Sequence, residues 1–215
     1  MDELTKELST AKGQRTEAWK EQRLGKITAS KCKIWMAKGR KKDEDFGQTS
    51  LTYLYGVLAE ILTGSSHEIF GAALDWGEDL EEQAIERYKE KTGNKVQRIG
   101  YIEYQANNLF GGSPDGLIEP DGMLEAKCPF NPANHVQTLI TQDIYNEDHR
   151  MQIQANLLFS DRKWCDYVTY DPRVFDKDKN INVIRILRIP DIIQNIRLRT
   201  VVITNLFDEF KEKIK

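Results

Sequence analysis

Asp115, Glu125 and Lys127 are residues whose types and spacing could do chemistry together. They fall in Gly112-Ser113-Pro114-Asp115-Gly116-Leu117-Ile118-Glu119-Pro120-Asp121-Gly122-Met123-Leu124-Glu125-Ala126-Lys127-Cys128-Pro129, which reads as a β-hairpin. Leu117–Glu119 and Met123–Lys127 suit strands, and Pro120-Asp121-Gly122 suits the turn, with Gly122 supplying a residue at φ > 0. That loop pairs Glu119 with Met123, Leu117 with Glu125 and Asp115 with Lys127. Strand side chains alternate, so Asp115, Glu125 and Lys127 share one face while Leu124 and Ala126 turn to the other. Carboxylates of this kind suit a hard cation such as Mg²⁺, which also takes waters and phosphate oxygens. A lysine beside them can orient a water and stabilise charge developing at phosphorus. The bland alternative is a surface hairpin with an incidental salt bridge.

The elements that would position this hairpin follow from the rest of the chain. Its 215 residues are 40% hydrophobic and 30% charged, with a formal net charge of −3, enough for one domain spanning 1–215 with a sizeable core. An acidic balance leaves any DNA-binding surface to a local patch, of which Lys38-Gly39-Arg40-Lys41-Lys42 is the most basic. No apolar run approaches the roughly 18 residues of a membrane span. The charged start of the chain lacks a signal-peptide core, and Cys32, Cys128 and Cys165 have neither disulfide nor zinc spacing, so a cytoplasmic setting is expected.

Residues 1–14 read as a flexible lead-in. Helices are expected over Thr16–Arg23, Lys31–Ala37, Ser50–Thr63, Trp76–Lys91, Asn131–Thr141 and Asp148–Phe159, and in a last one begun by Pro190 with the stripe Ile192, Ile196, Ile203, Phe207, Phe210, Ile214. Strands are expected over Val96–Tyr104, Trp164–Tyr170 and Ile181–Ile189. Thr28 and Ser30 suit caps of a helix flanked by Arg23 and Lys26, an arrangement that binds phosphate or simply caps. The fourth helix opens on an acidic run, Glu78, Asp79, Glu81 and Glu82, one of which could reach the hairpin. His67, His135 and His149 lack metal-ligand spacing and read as ordinary polar residues. The order fits an α/β (α+β) fold, a mixed central sheet flanked by helices.

Several separated segments then match one family in order. They are Arg23-Leu24-Gly25 with Ile27-Thr28-Ala29-Ser30, Ala73-Leu74 with Trp76-Gly77 and Glu81, and Ser113-Pro114-Asp115-Gly116-Leu117. Further on come Leu124-Glu125 with Lys127-Cys128-Pro129-Phe130, Gln152 with Gln154, and Tyr170-Asp171-Pro172-Arg173. From Trp19 onward the chain resembles the lambda-exonuclease family, the YqaJ-type viral recombinase group of PD-(D/E)xK nucleases. The resemblance implies a restriction-endonuclease-like core and a Mg²⁺-dependent 5′→3′ exonuclease on double-stranded DNA, with two ions and Mn²⁺ able to substitute. Its products would be 5′-mononucleotides and a 3′ single-stranded overhang. It also implies a homotrimeric ring, a single-strand annealing recombinase as partner, and a phage or prophage protein acting in a bacterial host.

Carried over residue by residue, Asp115 and Glu125 are expected as metal ligands with the backbone carbonyl of Ala126, Lys127 as the group that positions and activates water, and Glu81 as a helical acid near the metals. Arg23 is expected to capture the 5′-phosphate, with Thr28, Ser30, Ser113 and Gln154 around it. Leu74 is expected either as an apolar wedge between terminal base pairs or as helix packing. The chain departs from the family after Phe130, where Asn131-Pro132-Ala133-Asn134 lacks a basic residue. Two further readings stay open: an endonuclease of the same superfamily, which would cut closed circles, and a catalytically silent DNA-end-binding protein.

Overall fold

A computed structural model describes residues 14, 16–41, 44–66 and 72–215, apart from the side chains of 72–75 and 78. The lead-in over 1–13, His67 and Lys42 lie outside the described residues. So does the Leu74 side chain. Among the described residues seven α-helices and eight strands form two sheets. The helices are α1 Glu17–Arg23, α2 Cys32–Met36, α3 Gln48–Thr63, α4 Ala72–Thr92, α5 Pro132–Thr141, α6 Glu147–Phe159 and α7 Pro190–Lys213. The strands are β1 Ile27–Thr28, β2 Val96–Gln97, β3 Ile102–Glu103, β4 Phe110–Gly112, β5 Gly116–Ile118, β6 Gly122–Lys127, β7 Trp164–Tyr170 and β8 Ile181–Leu187.

The main sheet has the order β2-β5-β6-β7-β8, with β6 and β7 parallel and the other pairs antiparallel. A parallel pair needs a long crossover, and here it carries α5 and α6. Successive residues of the sheet feed opposite layers. Leu117, Met123, Cys165 and Tyr167 pack with Ile153 and Leu157 of α6. Ile118, Leu124, Ala126, Val168 and Tyr170 pack with Ala84, Ile85 and Tyr88 of α4. The sheet is therefore sandwiched between α6 and α4, the mixed sheet flanked by helices that the element order suggests. A second sheet, order β1-β4-β3, packs with α2, α3 and α7 around Ile27, Trp35, Leu54, Phe110, Ile196 and Phe207.

Two expectations change, and two strands carried none. Val96–Tyr104 is not one strand: β2 joins the main sheet and β3 the small one, with 98–101 crossing between them. The strands β1 and β4 are brief, and Gly111-Gly112 gave no strand signal in β4. The hairpin closes over Glu119-Pro120-Asp121, so Gly122 lies in β6 opposite Ile118 and beside Trp164. There it serves close approach rather than a positive φ: a Cβ on Gly122 would sit 2.2 Å from the Trp164 ring. Gly64, at φ 66°, ends α3 as expected.

The stripe of α7 also differs. Ile193, Ile196, Ile203 and Phe207 are buried, Ile192 only partly so, and Ile214 is exposed beyond the helix end. Between Ile196 and Ile203 the buried face carries Arg199, which donates from Nε to the Trp35 carbonyl (3.0 Å), from Nη1 to Asp45 (2.8 Å) and from Nη2 to Ala37 (3.2 Å). Its guanidinium also covers the Phe46 ring at 3.9 Å. Replacing Arg199 by Met leaves these carbonyls without their partner, and should cost about 2–4 kcal/mol in urea unfolding. Arg199→Lys should recover little of it, because an ammonium cannot span the same fork; full recovery would overturn this account.

Candidate active site

β6 runs through the middle of the main sheet, so its polar side chains are buried by position. Glu125 is 1% exposed and Asp115 7%. A carboxylate cannot stay there unpartnered without large cost. Glu125 Oε1 accepts from Lys127 Nζ and from Gln152 Nε2, each at 2.6 Å, and Oε2 faces Asn156 Nδ2 at 3.4 Å. Gln152 and Asn156 lie one helical turn apart on the face of α6 turned to the sheet. Asp115 Oδ2 accepts from the Ala126 N–H at 2.7 Å, and the Asp115 N–H donates to the Leu124 carbonyl at 3.0 Å.

The observed register sets Gly116 opposite Leu124, which carries Asp115 opposite Glu125 rather than opposite Lys127. Relative to expectation the hairpin has moved by two residues. Because the pleat repeats every two, Asp115, Glu125 and Lys127 still share a face, and the two carboxylates are now direct cross-strand neighbours. Burial, then repulsion from Glu125 and Glu81, pushes Asp115 well above the carboxylate range. Burial raises Glu125 too, against the pull of Lys127. Burial works against the Lys127 charge, but Glu125 and Asp115 outweigh it and hold the ammonium protonated. Behind it, His149 Nδ1 meets the Tyr167 hydroxyl at 2.8 Å, and burial with the nearby Lys127 pushes its pKa down to about 3.

Glu81, on α4, lies in the field of both carboxylates and is paired with Arg98 at 2.7 Å. Among the described residues no three His, Cys, Asp or Glu side chains form a ready metal cage. The residues nevertheless fit a hard cation: two adjoining buried carboxylates share the single Lys127 ammonium with Glu81 nearby, which leaves negative charge in excess, and Mg²⁺ typically takes one or two carboxylates with waters and phosphate oxygens completing its shell. Asp115 and Glu125 would hold it, with the Ala126 carbonyl as the expected third ligand.

A second cluster adjoins the first. Ser113 Oγ accepts from Trp19 Nε1 at 2.9 Å, and the Arg23 guanidinium lies over the Trp19 ring at 4.3 Å. Thr28 Oγ1 and Ser30 Oγ are 3.1 Å apart, and the Thr28 N–H donates to the Tyr53 hydroxyl at 3.1 Å. The Arg23 charge acts on the phenols of both Tyr53 and Tyr101. Arg23, Thr28, Ser30 and Ser113 thus stand around one small-sheet end. Gln154 does not join them. It is fully buried, donates to the Leu187 carbonyl at 2.9 Å and accepts from the Ile189 N–H at 2.8 Å, fixing the start of α7. Two residues along a helix is more than half a turn, which is why Gln152 reaches Glu125 and Gln154 cannot.

Gln152, Asn156, Trp19, Tyr53 and Tyr101 carry no assignment from sequence, and neither does Gln14, whose Nε2 donates to the Pro114 carbonyl at 3.0 Å and to Asp115 Oδ1 at 3.4 Å. The i, i+4 pair of amides inside an otherwise apolar α6 face was a signal available for two of them.

The model of the YqaJ-like viral recombinase domain matches residues 18–163. Among solved structures, LHK-Exo in complex with dAMP is 33% identical, with a TM-score of 0.83 over 93% of this chain and 96% of that one. The alkaline exonuclease LHK-Exo from Laribacter hongkongensis, in a further structure, gives 31% identity and a TM-score of 0.78 over 93% and 98%. A phage related exonuclease from Haemophilus somnus 129PT shares the fold at 14% identity, with a TM-score of 0.71 over 88% and 96%. Comparison with curated proteins gives no match. With its family model spanning most of the chain and both hairpin carboxylates and the lysine on one face, the chain belongs to the YqaJ-like viral recombinase domain family.

Proposed function

We propose that the protein is a DNA exonuclease that degrades one strand of a duplex in the 5′→3′ direction, with Mg²⁺ as its cofactor and Mn²⁺ as a substitute. One observation carries this reading. Ser113 of the Arg23 cluster and Asp115 of the carboxylate pair are two residues apart, an extended span of about 7 Å. A phosphate neutralised at Arg23 would leave the next phosphodiester beside Asp115 and Glu125, so the reach from pocket to site is that of a single terminal nucleotide.

When bound, Mg²⁺ would polarise the scissile phosphate and lower the pKa of its water. Glu125 is held by Gln152 and Lys127, and Asp115 by the Ala126 N–H, so the carboxylates that would hold the cation are already oriented. Lys127, kept protonated, donates to the attacking water or to a phosphoryl oxygen and balances charge there. Glu81 adds negative field and is steadied by Arg98. Each cut leaves a new 5′-phosphate for Arg23, releases a 5′-mononucleotide and lengthens a 3′ overhang. The single-strand annealing recombinase that would receive that overhang, and the homotrimeric ring, rest on the family resemblance.

The direct test offers linear duplex with 5′-phosphate or 5′-hydroxyl ends, and closed circles, in Mg²⁺. Preferential loss of the 5′-phosphorylated strand, with circles intact, is expected; cut circles would replace the reading with an endonuclease. Lys127→Ala should lower the rate by about 10²–10⁴-fold, and should lower the Tm as well because buried Glu125 loses its ammonium partner; retained activity would remove Lys127 from the mechanism.

The carboxylate pair also makes a stability prediction. Asp115 titrates higher folded than unfolded, so its charged form opposes folding; that cost is present above the folded pKa and absent below the unfolded one. In EDTA at pH 8, Asp115→Asn should raise the Tm, and the gain should shrink as pH falls into the ordinary carboxylate range. Mg²⁺ should raise the wild-type Tm and leave the variant nearly unmoved. A variant less stable than wild type in EDTA at pH 8 would refute the electrostatic account.

A further inference from the structure

The small sheet sorts its residues by face. Thr28 pairs with Gly111, and Glu103 with Gly111, while Ile102 pairs with Gly112. Carried one step further, Tyr101 stands opposite Ser113. Alternation then sets Thr28, Gly111, Ser113 and Tyr101 on one face and Ile27, Phe110, Gly112 and Ile102 on the other. The two glycines bear this out. A Cβ on Gly112 would meet Asn156 Oδ1 at 1.9 Å, towards α6, whereas one on Gly111 would meet the Tyr101 hydroxyl at 2.1 Å. Gly111 is bare because the phenol lies across it.

That phenol is unusual in its surroundings. Tyr101 is 7% exposed, and its hydroxyl has no hydrogen-bond partner among the described residues. A buried hydroxyl without an acceptor costs about 1–3 kcal/mol, and such a group calls for a reason. Its face holds the Thr28 and Ser113 hydroxyls and also Glu103, which is paired with Lys26 at 2.6 Å, and the charges acting on it are Glu103 first and then Arg23, with Tyr53 beside it. Burial raises its pKa, so it stays an O–H donor even in alkaline solution.

We propose that Tyr101 is a specificity residue of the 5′-phosphate pocket, its phenolic O–H donating to a terminal phosphate oxygen whose charge Arg23 neutralises. The proposal rests on the reading of the Arg23 cluster given above and adds a donor to it. An incoming phosphate supplies the acceptor that the free protein lacks; a 5′-hydroxyl end, with no phosphate oxygen to offer, does not.

The test is binding, not cleavage. Wild type and Tyr101→Phe are titrated by calorimetry with dAMP and with deoxyadenosine in EDTA, with the Tm of each recorded. The variant removes only an unpartnered hydroxyl, so its Tm should equal or exceed that of wild type. Wild type should bind dAMP more tightly than deoxyadenosine. Tyr101→Phe should weaken dAMP about tenfold or more, the loss of one charge-assisted hydrogen bond, and leave deoxyadenosine unchanged. An unchanged dAMP affinity in Tyr101→Phe overturns the proposal, as does a wild type that does not distinguish dAMP from deoxyadenosine or binds neither. If the phosphate-selective loss is seen in a protein that cuts no DNA, the exonuclease reading falls and the Tyr101 assignment stands.

Discussion

A carboxylate in the middle of a β-sheet is the constraint on which the rest of the molecule turns. Glu125 is 1% exposed, on the central run of the main sheet, where charge is tolerated only if every oxygen is answered. The answers come from Lys127 two residues on, and from Gln152 and Asn156 on the helix that covers that face. The crossover between β6 and β7 is therefore more than a connection: it delivers α6 with two amides aimed at the site. Asp115 brings a second carboxylate beside the first, and what remains is an imbalance of negative charge that a divalent cation would relieve.

The small sheet solves a different problem. It is short, and its two glycines let neighbours come close on both faces. One face packs into the core against α6; the other collects the hydroxyls of Thr28, Ser113 and Tyr101, with Glu103, and Arg23 acts on the Tyr101 phenol there. Since β4 runs on through Ser113 and Pro114 into Asp115 and β5, the same stretch of chain that ends the small sheet begins the hairpin. The distance between the hydroxyl cluster and the carboxylates is then set by covalent geometry rather than by the packing of separate parts.

The hairpin shows how far pattern reading reached. Its strands, the shared face of Asp115, Glu125 and Lys127, and the turn of Leu124 and Ala126 to the opposite face all follow from a period of two. The turn did not, because Pro120-Asp121-Gly122 has strong local turn chemistry while the packed Trp164 ring demands a glycine at position 122 in the strand. Arg199 is the same lesson in a helix. A stripe of Ile and Phe predicts the buried face of α7, but nothing in the spacing says that the place between Ile196 and Ile203 is filled by a guanidinium serving the carbonyls of Trp35 in α2 and of Ala37 and Asp45 after it.

The sequence by itself determined most of the element types, the face on which Asp115, Glu125 and Lys127 lie and, through separated motifs in order, the family. These are local or periodic properties, and parity survives even a two-residue shift in register. Only the tertiary structure decided that Asp115 faces Glu125, that Gln152 rather than Gln154 reaches the site, and that Tyr101 returns to Ser113 after its strand has left the main sheet. Each of those depends on which surfaces meet across tens of residues, and a contact between distant segments leaves no repeat in the chain to be read.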